Sequence, residues 1–206
     1  MGDRTAVRRC ALIFAGIGAV CAASAAEPIP GDAELAAKIA ACTSCHGADG
    51  NSTSEGIPSL AGQPETLLVN QLILFREGVR RSELMRPLVR GFDDGTIIAI
   101  ARHFAALPPK SVDGAADPAL VERGRELAKA GHCGTCHLPD FSGRAQIPRL
   151  AGQREDYLVA TLTGYRNDVR TRPDTSMNDI MRGASDEEIR ALAHFLARQA
   201  PPAMTH

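Results

Sequence analysis

An all-helical protein built from two tandem copies of one small domain is the fold class that this 206-residue sequence predicts. Three observations carry the prediction. A block of sequence around residue 42 is written again about 90 residues later, a period too long for a solenoid and right for a duplicated domain. Apolar residues recur at helical spacing in both copies, as in Leu67, Leu68, Leu72 and Phe75, and again in Ile189, Leu192, Ala193 and Leu196. No alternating apolar and polar run of strand length occurs.

The first 26 residues carry Arg4, Arg8 and Arg9, an apolar run to about Ala23 and a small-residue end at Ala25-Ala26. This pattern predicts a cleaved secretory signal, since the apolar run is shorter than the ~20 residues of a membrane span. The first domain is expected over 27–110. A short helix runs into Cys42-Thr-Ser-Cys-His46, a middle helix spans about Pro64 to Glu77 with Pro64 at its first position, and a last helix spans about Asp94 to Ala106. Leu107 to Pro118, rich in Pro, Gly and small polar residues, reads as an exposed linker. The second domain, over 111–206, repeats the plan. Cys133-Gly-Thr-Cys-His137 ends its first helix, Arg154 to Asn167 forms the middle one, and Asp186 to Gln199 the last, with Ser185 and Glu188 placed as a capping box. Ile57-Pro-Ser-Leu-Ala-Gly-Gln63 returns as Ile147-Pro-Arg-Leu-Ala-Gly-Gln153. The long Gly- and Pro-containing loops Gly47 to Pro58 and Leu138 to Pro148 are expected to wrap something.

Charge excludes one class of function. With 23 basic and 24 acidic residues and no basic tract, the chain lacks the concentrated positive face that neutralising nucleic-acid phosphates needs. Aromatic poverty points elsewhere. No Trp, two Tyr and six Phe leave two small cores short of large rings, as if something non-protein filled them.

Four cysteines follow the export segment, and in an exported chain they could form two disulfides. Their setting suggests other chemistry. Residues i, i+3 and i+4 share a helix face, so Cys42, Cys45 and His46 project together, as do Cys133, Cys136 and His137. Two thiols can reach the two vinyl groups of a haem edge while the following imidazole meets the iron, so the sequence predicts two covalently bound haem c groups. A four-thiolate zinc site would join pairs far apart in the chain, a redox CxxC expects a βαβ surrounding, and disulfides would leave both histidines unexplained.

For the sixth iron ligand, Met85 is the first domain's only methionine, in a stretch expected to be irregular. The second domain offers Met177 and Met181. Aligning the copies sets Met177 opposite Met85 and Met181 opposite Val89, which cannot bind iron, so Met177 reads as ligand and Met181 as packing. His103, His132, His194 and His206 are expected to be structural, with His132 facing away from the attachment site. A backbone carbonyl near Pro58 or Pro148 is expected to accept each ligating histidine's N–H. The arginines around Met85 (Arg76, Arg80, Arg81, Arg86, Arg90) and Met177 (Arg166, Arg170, Arg172, Arg182) are candidates for haem carboxylates, for the domain interface or for a solvated face.

On CTSCH and CGTCH, the two IPxLAGQ segments, Met85 and Met177 before a final helix, and the SDEEIRALAHFL run at Ser185 to Leu196, the chain resembles the tandem class I cytochromes c, most closely the dihaem cytochrome c4 family, over nearly its whole mature length. The resemblance implies two haem domains related by a pseudo-twofold axis. It implies a periplasmic electron carrier, not an enzyme, passing single electrons between redox protein donors and acceptors toward a membrane-bound terminal oxidase, and compatible with loose membrane association. The alternative is the electron-accepting subunit of a periplasmic dehydrogenase, such as a flavin-containing sulfide-oxidising complex. A dihaem peroxidase is weaker, because it needs an open iron. One departure stands out: His103 occupies the place where the second copy has Phe195.

Overall fold

A computed structural model describes residues 30–112, 114–170 and 175–201; the segment over 1–26 expected to be a secretory signal, Arg172 and His206 lie outside them. The described residues form helices α1 (Pro30–His46), α2 (Glu65–Arg76), α3 (Met85–Val89), α4 (Asp94–Ala105), α5 (Pro118–Ala130), α6 (Cys133–His137), α7 (Glu155–Arg166), α8 (Ser176–Met181) and α9 (Asp186–Ala197). Among them no strand occurs, only an isolated bridge between Arg144 and Ile147.

Side-chain caps fix the starts of three helices. Asp93 accepts the Thr96 N–H at 2.7 Å to begin α4. Asp117 accepts from Ala119 and Leu120 to begin α5 behind Pro118. Ser185 and Glu188 exchange both bonds of a capping box. Three sequence expectations need correction. Pro64 is the cap before α2, held extended at ψ 131°, and not its first residue. Met85 opens a short helix instead of an irregular stretch; Pro87 is tolerated there because the first-turn N–H groups of a helix lack partners anyway. The helix leading to the second CxxCH breaks at Gly131 and His132 (φ 52°), whereas α1 runs unbroken into His46.

In the second copy α5 crosses α9 at Gly124, where an added Cβ would lie 2.1 Å from the Ala191 carbonyl oxygen, so only glycine admits the approach. Phe141 meets Phe195 edge to face at 5.6 Å. The first copy fills the same space differently. Phe104, 1% exposed, lies over Gly50, whose added Cβ would stand 3.1 Å from the ring, while the second copy has Phe141 in the place of Gly50 and Leu196 in that of Phe104. The exchange of large and small residues keeps volume. It frees the His103 position from core duty, and His103 packs edge-on against Phe104 at 5.1 Å.

The copies meet through their IPxLAGQ segments in a reciprocal pattern. Gln63 accepts from the Arg149 N–H and donates to its carbonyl, both at 3.0 Å. Gln153 accepts from the Ser59 N–H at 2.8 Å and donates to its carbonyl at 2.9 Å. Gln63 corresponds to Gln153 and Ser59 to Arg149, so the contact is self-complementary about a pseudo-twofold axis. Arg149, 1% exposed, reaches the Ala61 and Ala151 carbonyls, one in each copy. Burial lowers its pKa to about 10, which leaves it charged at neutral pH. Replacing Gln153 with Ala strands the buried Ser59 amide N–H and carbonyl, and each orphaned group costs about 1–3 kcal/mol. A lower denaturant midpoint is expected; equal midpoints would contradict this reading of the interface.

Candidate functional site

Each CxxCH forms a helix end, α1 closing at His46 and α6 at His137. Cys42, Cys45 and His46 line the same continuous cavity of about 1750 Å³ as Cys133, Cys136 and His137. Cys42 and Cys133 are half-buried, and burial pushes both thiols above their ordinary pKa; Cys45 and Cys136 are exposed at the rim. None of the four is joined to another in a disulfide.

Both imidazoles are buried. His46 Nδ1 lies 2.8 Å from the Pro58 carbonyl and His137 Nδ1 lies 2.9 Å from that of Pro148. A carbonyl only accepts, so Nδ1 carries the proton in each ring, and a histidine so fixed binds metal through Nε2. Burial holds the pKa of His46 below its usual value against the opposing pull of the Pro58 carbonyl, which favours the neutral, metal-binding form. The loop that returns each carbonyl needs left-handed backbone: the first copy places Gly47 (φ 89°) and Gly50 (φ 74°), the second Leu138 (φ 69°) and Phe141 (φ 56°). Non-glycine residues there cost of order 1–3 kcal/mol each.

Met85, at the start of α3, and Met177, in the first turn of α8, stand half-buried on the cavity wall. Met181 also borders the cavity but is 4% exposed and belongs to the second copy's apolar core. His103 and His194 are not among the lining residues. His194 Nε2 accepts the Asp117 N–H at 2.9 Å and its Nδ1 meets Glu155, tying α9 to the start of α5. His132, expected to face elsewhere, reaches the cavity rim and is exposed.

A cavity this large exceeds the roughly 300–1,000 Å³ of ordinary ligand sites. Its walls include Leu68, Phe75, Ile100, Leu158 and Leu196. An apolar space of this size, with two thiol pairs and two oriented imidazoles on its surface, fits two haem groups.

One polar cluster on the wall was not visible in the sequence. Tyr157 OH receives hydrogen bonds from Arg80 at 3.3 Å and Arg170 at 3.2 Å, one guanidinium from each copy, and neither arginine meets a carboxylate among the described residues. Burial alone would raise the phenol pKa, but the two cations outweigh it and bring the value from 10 down to about 7.

Comparison with known proteins places this geometry. The cytochrome c family model matches residues 121–200. Cytochrome c4 of Pseudomonas aeruginosa is 36% identical over 78% of this chain and 84% of its own. A thiosulfate dehydrogenase electron acceptor of Stutzerimonas stutzeri is 34% identical over 76% of this chain and 78% of its own. The solved structure of reduced recombinant cytochrome c4 from Pseudomonas stutzeri superposes with a TM-score of 0.74 at 31% identity, covering 81% of this chain and 97% of that one.

Proposed function

The chain belongs to the cytochrome c4 family, all-helical electron carriers with two class I cytochrome c domains, and from that membership we propose that it is a periplasmic dihaem carrier passing single electrons between redox proteins. The observation that carries the proposal is the pair of cavity-facing Cys-Cys-His triplets, each with its imidazole fixed by a backbone carbonyl and each accompanied on the wall by a methionine. Cys42 and Cys45 would hold one haem c and Cys133 and Cys136 the other, with His46 and Met85 as iron-binding residues in the domain over 27–110 and His137 and Met177 in the domain over 111–206. Haem so held would supply one-electron chemistry, with His and Met leaving no open position for substrate. The protein's part is to keep the ligands in place, exclude water with an apolar wall and supply positive charge. Arg80 and Arg170, cavity-facing and with no carboxylate partner among the described residues, are suited to receive the acidic edges of the haems.

The acceptor proposed is a membrane-bound terminal oxidase. A redox titration of the purified protein should give two one-electron steps, and the ferrous form should not bind carbon monoxide. Carbon monoxide binding by the unmodified protein would mark an open iron and contradict the carrier reading. The second reading, an electron-accepting subunit of a dehydrogenase, draws on the similarity to a thiosulfate dehydrogenase electron acceptor. Copurification with a dehydrogenase at fixed stoichiometry would favour it; isolation of the cytochrome alone from periplasm favours the free carrier.

A further inference from the structure

We propose that the cavity rim of the first copy is a docking surface for an acidic redox protein. Leu84 and Leu88, one helical turn apart around Met85, both line the cavity yet are 69% and 52% exposed, which places them at its edge. Exposed large apolar side chains beside an electron-transfer site form the kind of patch that a partner covers. Arg81, Arg86 and Arg90 surround them, all exposed, and none of the three takes part in an ion pair or side-chain hydrogen bond among the described residues. From Gly78 to Phe92 the chain carries four arginines against one acidic residue, Glu83.

The second copy keeps an exposed apolar edge, with Ile180 in the place of Leu88 at 52% and Val169 at 76% exposure, but its charge is balanced. Between Asp168 and Ala184 three arginines face three aspartates. Ser176 stands in the place of Leu84, and the buried Asn178 in that of Arg86. Arg182, opposite Arg90, is engaged by Asp179 at 3.0 Å, and the rim includes Asp168. Among the described residues, unpaired arginines ring the first rim while Arg182 on the second is paired, which gives the molecule a polarity that the repeated sequence does not require. The surface fits a protein whose own electron-transfer site lies in an apolar patch ringed by carboxylates. Charge then steers the encounter, and the small leucine contact lets the partner leave after transfer.

The proposal rests on the carrier reading, and the experiment separates the two. Reduced flavodoxin, an acidic one-electron donor, is mixed with oxidised holoprotein in stopped flow at low and high salt; a neutral quinol serves as the small uncharged donor. The flavodoxin rate should fall as salt rises. Arg86→Glu combined with Arg90→Glu, at positions outside the cavity lining, should slow flavodoxin at low salt by roughly tenfold or more while leaving the quinol rate unchanged. Arg182→Gln should alter the flavodoxin rate less than about twofold, because its charge is already paired. Equal rates for parent and double variant at low salt, or equal losses in both rims, would overturn the docking surface. So would a parent dimer abolished by the double variant, or parent binding to phosphatidylglycerol vesicles with an unaffected flavodoxin rate, since the occupant would then be a second copy or a membrane. Failure of the unmodified protein to accept electrons from either donor would instead sink the carrier reading.

Discussion

Replacing Met177 with alanine should open the second haem to carbon monoxide and lower its reduction potential, leaving the first haem closed. A thioether favours the ferrous state, so its loss shifts that iron toward the ferric form and vacates a coordination position. Met181 is the control, only four residues away on α8. It is 4% exposed and shares the second copy's core with Leu158, Leu162 and Ile189. Met181→Ala should therefore cost about 2–5 kcal/mol of stability, as truncations of buried large side chains do, with no carbon monoxide binding. Carbon monoxide binding by the Met181 variant and none by the Met177 variant would mean that the internal alignment is out of register in the second domain.

A comparably large effect is expected from Cys133→Ser combined with Cys136→Ser. The second domain has no tryptophan, and its helices α7, α8 and α9 line a cavity that covalent haem c is proposed to fill. Without thioether bonds that haem is lost from denatured protein, which should retain one covalent haem, the one at Cys42 and Cys45. Helical circular dichroism should fall, because a domain of this size buries too little apolar surface to hold an empty core together. The mirror variant, Cys42→Ser with Cys45→Ser, should retain the other haem. Two covalent haems surviving in either variant would show attachment elsewhere.

Much of this was legible because covalent attachment imposes short-range spacing. Two thiols and an imidazole must lie on one helix face, so CxxCH marks the candidate site in the sequence itself, and the second copy made a lone Met85 meaningful by pairing it with Met177. Capping residues such as Ser185 and Glu188 act over three positions, and that helix start lay where expected. The carbonyls of Pro58 and Pro148 also met their histidines, because each loop must return to the ring it orients.

What escaped depends on how the copies dock. Gln63 and Gln153 are visible as repeated letters, but their bonds to backbone 86 and 94 positions away exist only once a pseudo-twofold axis brings the segments together. Arg149 differs from its counterpart Ser59, and nothing in sequence spacing says that a single guanidinium would satisfy a carbonyl from each copy. Tyr157 likewise meets arginines 77 and 13 residues away, in the pocket wall between the copies. The repeated helical plan also hid local differences: Gly131 and the left-handed His132 interrupt the second attachment helix, while the first continues without a break.

The most direct test of the account is the intact mass of the denatured protein, produced in a host that matures c-type cytochromes. Two covalent haems on Cys42, Cys45, Cys133 and Cys136 predict the mass of the processed chain plus two haem groups, with no cysteine among these four open to alkylation. A mass carrying one haem or none, or four alkylatable thiols in that material, would contradict it.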